Sequence, residues 1–152
     1  MFIRSASASD CRVITPRLRQ ADIRELSAMS DVRPKHALLD ALSTADFSDA
    51  VVDVSGSPVA IFGVTTFTLA GHAQGLPWLV GTDAIKTQAK AFLRISPRIM
   101  RRFETSAHPL LGFVHAANIT HIRWIAWVGF TLADTPEFIG PAGSPFIRFW
   151  RH

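Results

Sequence analysis

Cysteine occurs once in this sequence of 152 residues, at Cys11, and tyrosine does not occur at all. A single thiol excludes a disulfide within the chain and fits a reducing compartment. Without tyrosine, no phenol is available for acid–base work. No Asp, Glu, Lys or Arg stands between Asp53 and Asp83, a run long enough to raise the question of a membrane span. Its other residues answer the question. Pro58, Pro77, five glycines from Gly56 to Gly81, His72 and Gln74 cut it into pieces too short to cross a bilayer as a helix. Buried strands are expected there. Met1 to Asp10 has no continuous apolar run behind a basic start, so no secretory signal is expected and the protein should remain in the cell that makes it.

What is present is hydrocarbon and arginine. With 48% hydrophobic and 18% charged residues, the chain can fill a real core, and its length suits one domain over 1–152 with a core of about 11–150. Thirteen arginines against three lysines favour planar, bidentate contact with phosphate or carboxylate. Lys86, Lys90, Arg94, Arg98, Arg101 and Arg102 fall in a segment with no acid, and the first three make one helical stripe by their spacing of four. That stripe could meet phosphates, a protein partner or only solvent. No helix-turn-helix, zinc-finger or RNA-binding motif accompanies it, so no specific nucleic-acid readout is expected.

Periodicity orders the elements. CRVITPRL (Cys11 to Leu18) alternates and reads as a first strand, and QADIRELSAM and PKHALLDALSTA read as helices. DAVVDVSGSPVAIFGVTTFTL is a hairpin turned at Ser55-Gly56-Ser57-Pro58, and GLPWLVGT is a further strand. AIKTQAKAFLRI is helical, with Ser96-Pro97 restarting or kinking the helix. HPLLGFVHA is a strand, and NITHIRWIAWVGF is a helix with Asn118 as N-cap and Gly129-Phe130 as its stop. Two closing strands, GFTLADTPEF and SPFIRFWRH, complete the order β-α-α-β-β-β-α-β-α-β-β. This is a mixed α/β domain.

That order, with NITHIRWIAWVGF, resembles the GNAT family of acyl-CoA-dependent N-acyltransferases. The family's last helix reads N-x-x-A-x-x-L-Y-x-K-x-G-F, and Asn118, Gly129 and Phe130 match it in spacing, with His121, Trp124 and Ile125 at the small, leucine and tyrosine positions. The family's pyrophosphate cradle, Q/R-x-x-G-x-G/A, is matched in degenerate form by Lys86, Thr87, Gln88, Ala89, Lys90 and Ala91. ADIRELSA, VAIFGV, PWLVGT and the last helix are similar to GNAT-like internal virion proteins of short-tailed bacteriophages, over roughly Cys11 to Trp150.

The resemblance implies a GNAT-like, mostly antiparallel sheet flanked by helices. It also implies acetyl-CoA as cofactor, held by Lys86 to Ala91 and Asn118 in a cleft between the fourth and fifth strands. The alternative it carries is a non-catalytic virion or assembly protein with phage structural or host proteins as partners, located in the infected cytoplasm or the particle. His121, one turn after Asn118, and His115, at the end of the preceding strand, are the candidate acid–base residues; a core histidine and a loop histidine are the alternatives. Trp124 and Trp127 are expected in the core and Arg123 in solvent. No HExxH or Cys/His cluster exists, so no metal is expected.

Overall fold

The computed structural model describes residues 1–152. The chain starts with a strand that sequence reading missed, β1 (Phe2–Ser5), so the sheet begins before the core boundary placed at residue 11. The expected strand over Cys11 to Leu18 is instead α1 (Ala8–Ile14) followed by a 3-10 turn, Thr15–Arg17. The reason is a capping box. Ser7 accepts from the Asp10 N–H while Asp10 accepts from the Ser7 N–H, and Arg4 grips the same carboxylate through two 2.8 Å bonds. Helical nucleation at Ser7 outweighs the short alternation of β-branched residues that follows.

The helices α2 (Gln20–Met29) and α3 (Pro34–Thr44) form as expected, the latter with Pro34 in its first turn. The hairpin is β2 (Phe47–Val52) and β3 (Pro58–Leu69), with Gly56 at φ +86° and Asp53 accepting the Ser55 and Ser57 N–H groups. β4 (His72–Gly81) pairs along all of its length with β3.

The next pairing is short. β4 meets β5 (Leu110–His115) in parallel at one register pair, Gly75 and Leu110, where Gly75 N–H donates to the Pro109 carbonyl at 2.8 Å. Gly75 and Gly81 both donate away from β3, so odd-numbered residues of β4 carry the N–H groups that face β5. Pro77 is in that phase and has no N–H. The ladder loses its next donor and the two strands part, leaving a cleft.

Between them in sequence, α4 (Ala84–Thr87) and α5 (Ala89–Phe103) are separated at Gln88, not at Ser96. α5 runs through Pro97 because Leu93, whose carbonyl loses its partner there, is exposed, while Ser96 Oγ donates to the Phe92 carbonyl at 2.7 Å. After β5 come α6 (Ile119–Val128), β6 (Thr131–Leu132), β7 (Glu137–Ile139) and β8 (Ser144–Arg151). The penultimate strand expected as one is two short pieces. Gly129 closes α6 at φ +115°, as its Gly-Phe stop suggested.

The strand order is β1-β2-β3-β4-β5-β8-β6, with β7 also on β8, and every pairing except β4 with β5 is antiparallel. One face packs on α5 and α6 through Phe62, Phe92, Ile99, Phe103 and Ile125; the other packs on α1 and α3 through Cys11, Ile14, Leu38 and Ile61. No helix is long and apolar enough to cross a membrane.

Trp124 joins α6 to α5, because its indole N–H donates to Ser96 Oγ at 2.9 Å beside Phe92. Ser96→Ala leaves that indole N–H without a partner and should cost about 1–3 kcal/mol in urea unfolding; an unchanged midpoint would mean the bond adds nothing.

Candidate active site in the cleft between β4 and β5

Where the strands part, α2 stitches their ends. Asp22 Oδ2 accepts the Gly81 N–H of β4 at 2.9 Å, and Glu25 Oε1 accepts the His115 N–H of β5 at 2.7 Å. The i, i+3 spacing puts both carboxylates on one helix face, and Asp22 is the only fully buried residue of α2. At the same place Arg19 donates its backbone N–H to the Gly81 carbonyl, its guanidinium lies 3.8 Å from Asp22, and it donates to Asn118 Oδ1 at 3.3 Å. Two carboxylates thus stand where strand-to-strand hydrogen bonds would otherwise run.

His121 completes the group from α6. It is 8% exposed, packs against Trp124, and offers a ligand atom within 4.8 Å of those of Asp22 and Glu25. No motif in the sequence signalled this set of acids and histidine. Three buried atoms here lack protein partners: Asp22 Oδ1, Asn118 Nδ2 and His121 Nδ1.

Burial sets the protonation. It pushes Glu25 up to about 7, reinforced by the Asp22 charge, while the His115 N–H, the Asn118 amide and Arg19 pull the other way. Burial also raises Asp22 against the opposing influence of Arg19, the Gly81 N–H and Asn118. His121 is pushed down to about 4 by burial and by Arg19, so it is a neutral imidazole at pH 7. Of the three, Glu25 is the group poised to gain or lose a proton near neutrality.

Two cavities meet at Trp124, which lines both. One, about 350 Å³, passes through the parted strands beside Leu79, Phe113 and Ile125 and reaches Glu25 and His121. The other, about 590 Å³, lies between α5 and α6 and is lined by Arg19, Lys86 and Arg123, with Asp83 as its one acid. The first is mostly hydrocarbon and the second is cationic.

Of the residues expected to hold a cofactor, Lys86 and Ala89 line the cationic groove, while Thr87, Gln88, Lys90 and Ala91 are outside its lining. The backbone amides of Lys86, Thr87 and Gln88 are spent within their own turn, on the carbonyls of Asp83 and Ala84. A phosphate would therefore meet side-chain cations there. Asn118 occupies the N-cap position but does not cap: at φ −84°, ψ 66° its side chain turns instead to Arg19. His115 brings its backbone to Glu25, while its Nδ1 accepts the Ala117 N–H and its ring packs on Phe146. Trp127, expected in the core, is 58% exposed on the wall of the groove; Arg123 is exposed as expected.

No family model and no curated protein sequence matches the chain. Solved structures do. Ard1 from Thermoplasma volcanium has a TM-score of 0.71 at 17% identity, over 99% of this chain and 95% of its own. A GCN5-related N-acetyltransferase from Kribbella flavida scores 0.69 at 15% identity, over 99% and 96%. A GNAT superfamily phosphinothricin acetyltransferase from Sinorhizobium meliloti, in complex with AcCoA, scores 0.67 at 15% identity, over 99% and 86%. The fold is that of the GNAT acetyltransferases, a mixed α/β sheet that is mostly antiparallel.

The shifted groups predict a pH signature with two opposed parts. Glu25 is raised from 4.5 to about 7, so the folded chain holds the extra proton in that window and this contribution to stability falls as pH rises. His121 is lowered from 6.5 to about 4, so the unfolded chain holds the extra proton and its contribution rises with pH. Each slope is at most about 1.4 kcal/mol per pH unit, and they oppose between about 4.5 and 6.5. In urea unfolding at stepped pH, Glu25→Gln should make stability rise across that window relative to wild type, and His121→Gln should make it fall.

Proposed function

We propose that the protein transfers an acyl group from acyl-CoA to an amine, with acetyl-CoA as the donor and Glu25 as the general base. The observation carrying this reading is the junction at Trp124, where a cationic groove meets an apolar cavity that ends at a carboxyl group with a pKa of about 7. Arg19, Lys86 and Arg123 suit the phosphates of a nucleotide, and the exposed indole of Trp127 suits stacking on its base. Bound there, acyl-CoA would supply an activated thioester.

The chain's own groups do the rest. Glu25 takes a proton from the incoming ammonium, leaving an amine lone pair free for the thioester carbonyl. His121, neutral and buried, stays a hydrogen-bond acceptor beside it, and the His115 N–H fixes the carboxylate's position. Ile125, at the position of the family's tyrosine, is buried and has no proton to give. The thiolate therefore leaves without a proton from position 125, and much of the rate comes from positioning the two substrates.

A second reading follows from the same Ile125 and from the exposed apolar side chains of Ile119 and Trp127 on α6. In it the fold is a scaffold for protein partners, as in the phage virion group that the sequence resembles, and no acyl-CoA binds.

Acetyl-CoA at a hundredfold excess over its dissociation constant should stabilise the native state by about 2.7 kcal/mol, raising the melting temperature about 5–10 °C. Lys86→Glu should remove most of that shift. Glu25→Gln should keep the shift and lower thiol release with an amine acceptor about 10²–10⁴-fold. No shift at millimolar acetyl-CoA would favour the scaffold.

A further inference from the structure

We propose that Asp22, Glu25 and His121 form a cradle for a primary ammonium group whose apolar body fills the adjoining cavity, so that the acceptor is an alkylamine or aralkylamine. The inference rests on the acyl-transfer reading only in calling that amine an acceptor. Its starting point is a pair of buried atoms outside hydrogen-bond geometry with any protein group, Asp22 Oδ1 and His121 Nδ1, with the Asn118 amide the only side-chain donor that acts on the Asp22 carboxylate besides Arg19. A buried polar atom without a partner is costly, so a fold that keeps two together is shaped for a donor from outside. Glu25, with one oxygen held by the His115 N–H, supplies the third acceptor.

Stereochemistry admits an ammonium as that donor. An –NH3⁺ group presents three N–H bonds in a tripod, and acceptors at about 2.9 Å from its nitrogen stand about 4.7 Å apart. The atoms of Asp22, Glu25 and His121 lie within 4.8 Å of one another. A zinc-type ion at about 2.1 Å from each ligand would hold them about 3.4 Å apart, and cobalt absorption distinguishes it. Charge agrees: ionised Asp22 and Glu25 beside Arg19 leave one net negative charge for one ammonium. Asn118 Nδ2 stands too loosely to complete a hydrogen bond, yet as a nearby donor it favours the charged form of both carboxylates.

The cavity selects the body. Beyond Glu25 it is walled by Leu26, Met29, Leu38, Ala41 and Trp78, with Asp40 as its only other acid. A polyamine or sugar amine would bury polar groups against hydrocarbon at a cost, whereas an alkyl chain or phenyl ring gains by leaving water. The transfer balances. The ammonium gives one proton to Glu25, and the C–N bond forms as the C–S bond breaks with its electron pair going to sulfur. The second proton, acidic once the nitrogen is acylated, passes to the thiolate to give the thiol.

The test is titration of hexylamine and phenethylamine at pH 8, followed by the fluorescence of Trp78 and Trp124. Hexanol, which has the body but not the charge, and hexyltrimethylammonium, which has the charge but no N–H, are the controls. Both amines should bind at least ten-fold more tightly than either control, and Asp22→Asn should lose at least ten-fold. Should that variant not fold, Ala41→Trp, which fills the cavity and leaves the cradle intact, should lose binding to the same degree. Equal binding of either control, or cobalt absorption bands showing that the three side chains ligate a metal, would overturn the proposal. Amine binding without acetyl transfer would keep this site and remove the acyl-transfer reading. Acetyl transfer to polyamines alone would do the reverse.

Discussion

The architecture of the site depends on one interrupted hydrogen-bond ladder. Pro77 takes the place of the next donor from β4 toward β5, and the parallel pairing stops after Gly75 and Leu110. Strand ends without partners are expensive to bury, so something must receive the N–H groups beyond that point. Asp22 and Glu25 do so, from one face of α2. The carboxylates are thereby carried into a buried place in which they would otherwise not ionise easily, and the raised pKa of Glu25 follows from the same geometry that holds the cleft open.

From that cleft the two cavities follow. Trp124, anchored by Ser96, is the shared wall, so the hydrogen bond that fixes α6 on α5 also sets where a cationic groove gives way to an apolar chamber. Pro97 does not break α5, which lets Ser96 and Phe92 stay in register with α6. The site thus has charged groups at its centre, a cationic groove on one side and an apolar chamber on the other. That arrangement suits chemistry on a group that must be charged to arrive and neutral to react.

The fold was legible in the sequence where periodicity and turn chemistry agreed: the hairpin at Gly56, the helices opening at Gln20 and Pro34, the strand at Leu110, and the last helix with its Gly129 stop. It was misread where a local hydrogen bond overruled a pattern. Ser7 and Asp10 nucleate a helix across residues whose alternation suggests a strand, and Asn118 gives its side chain to Arg19 and not to its own helix. Trp127 has the spacing of a core residue but projects from the wall of the groove, because α6 buries fully only His121 and Ile125. The site itself was half legible. His121 could be picked from its helix position, but Asp22 and Glu25 look like the polar face of an amphipathic helix until tertiary structure lays them across the parted strands.

The central claim is that this parting turns Glu25 into a base that titrates at neutral pH. The sequence has three glutamates, Glu25, Glu104 and Glu137, so a ¹³C-carboxyl titration of glutamate-labelled protein by NMR yields three signals to follow. One signal should titrate near pH 7 and be absent in Glu25→Gln. Three signals all titrating in the ordinary carboxylate range near 4.3 would contradict the account.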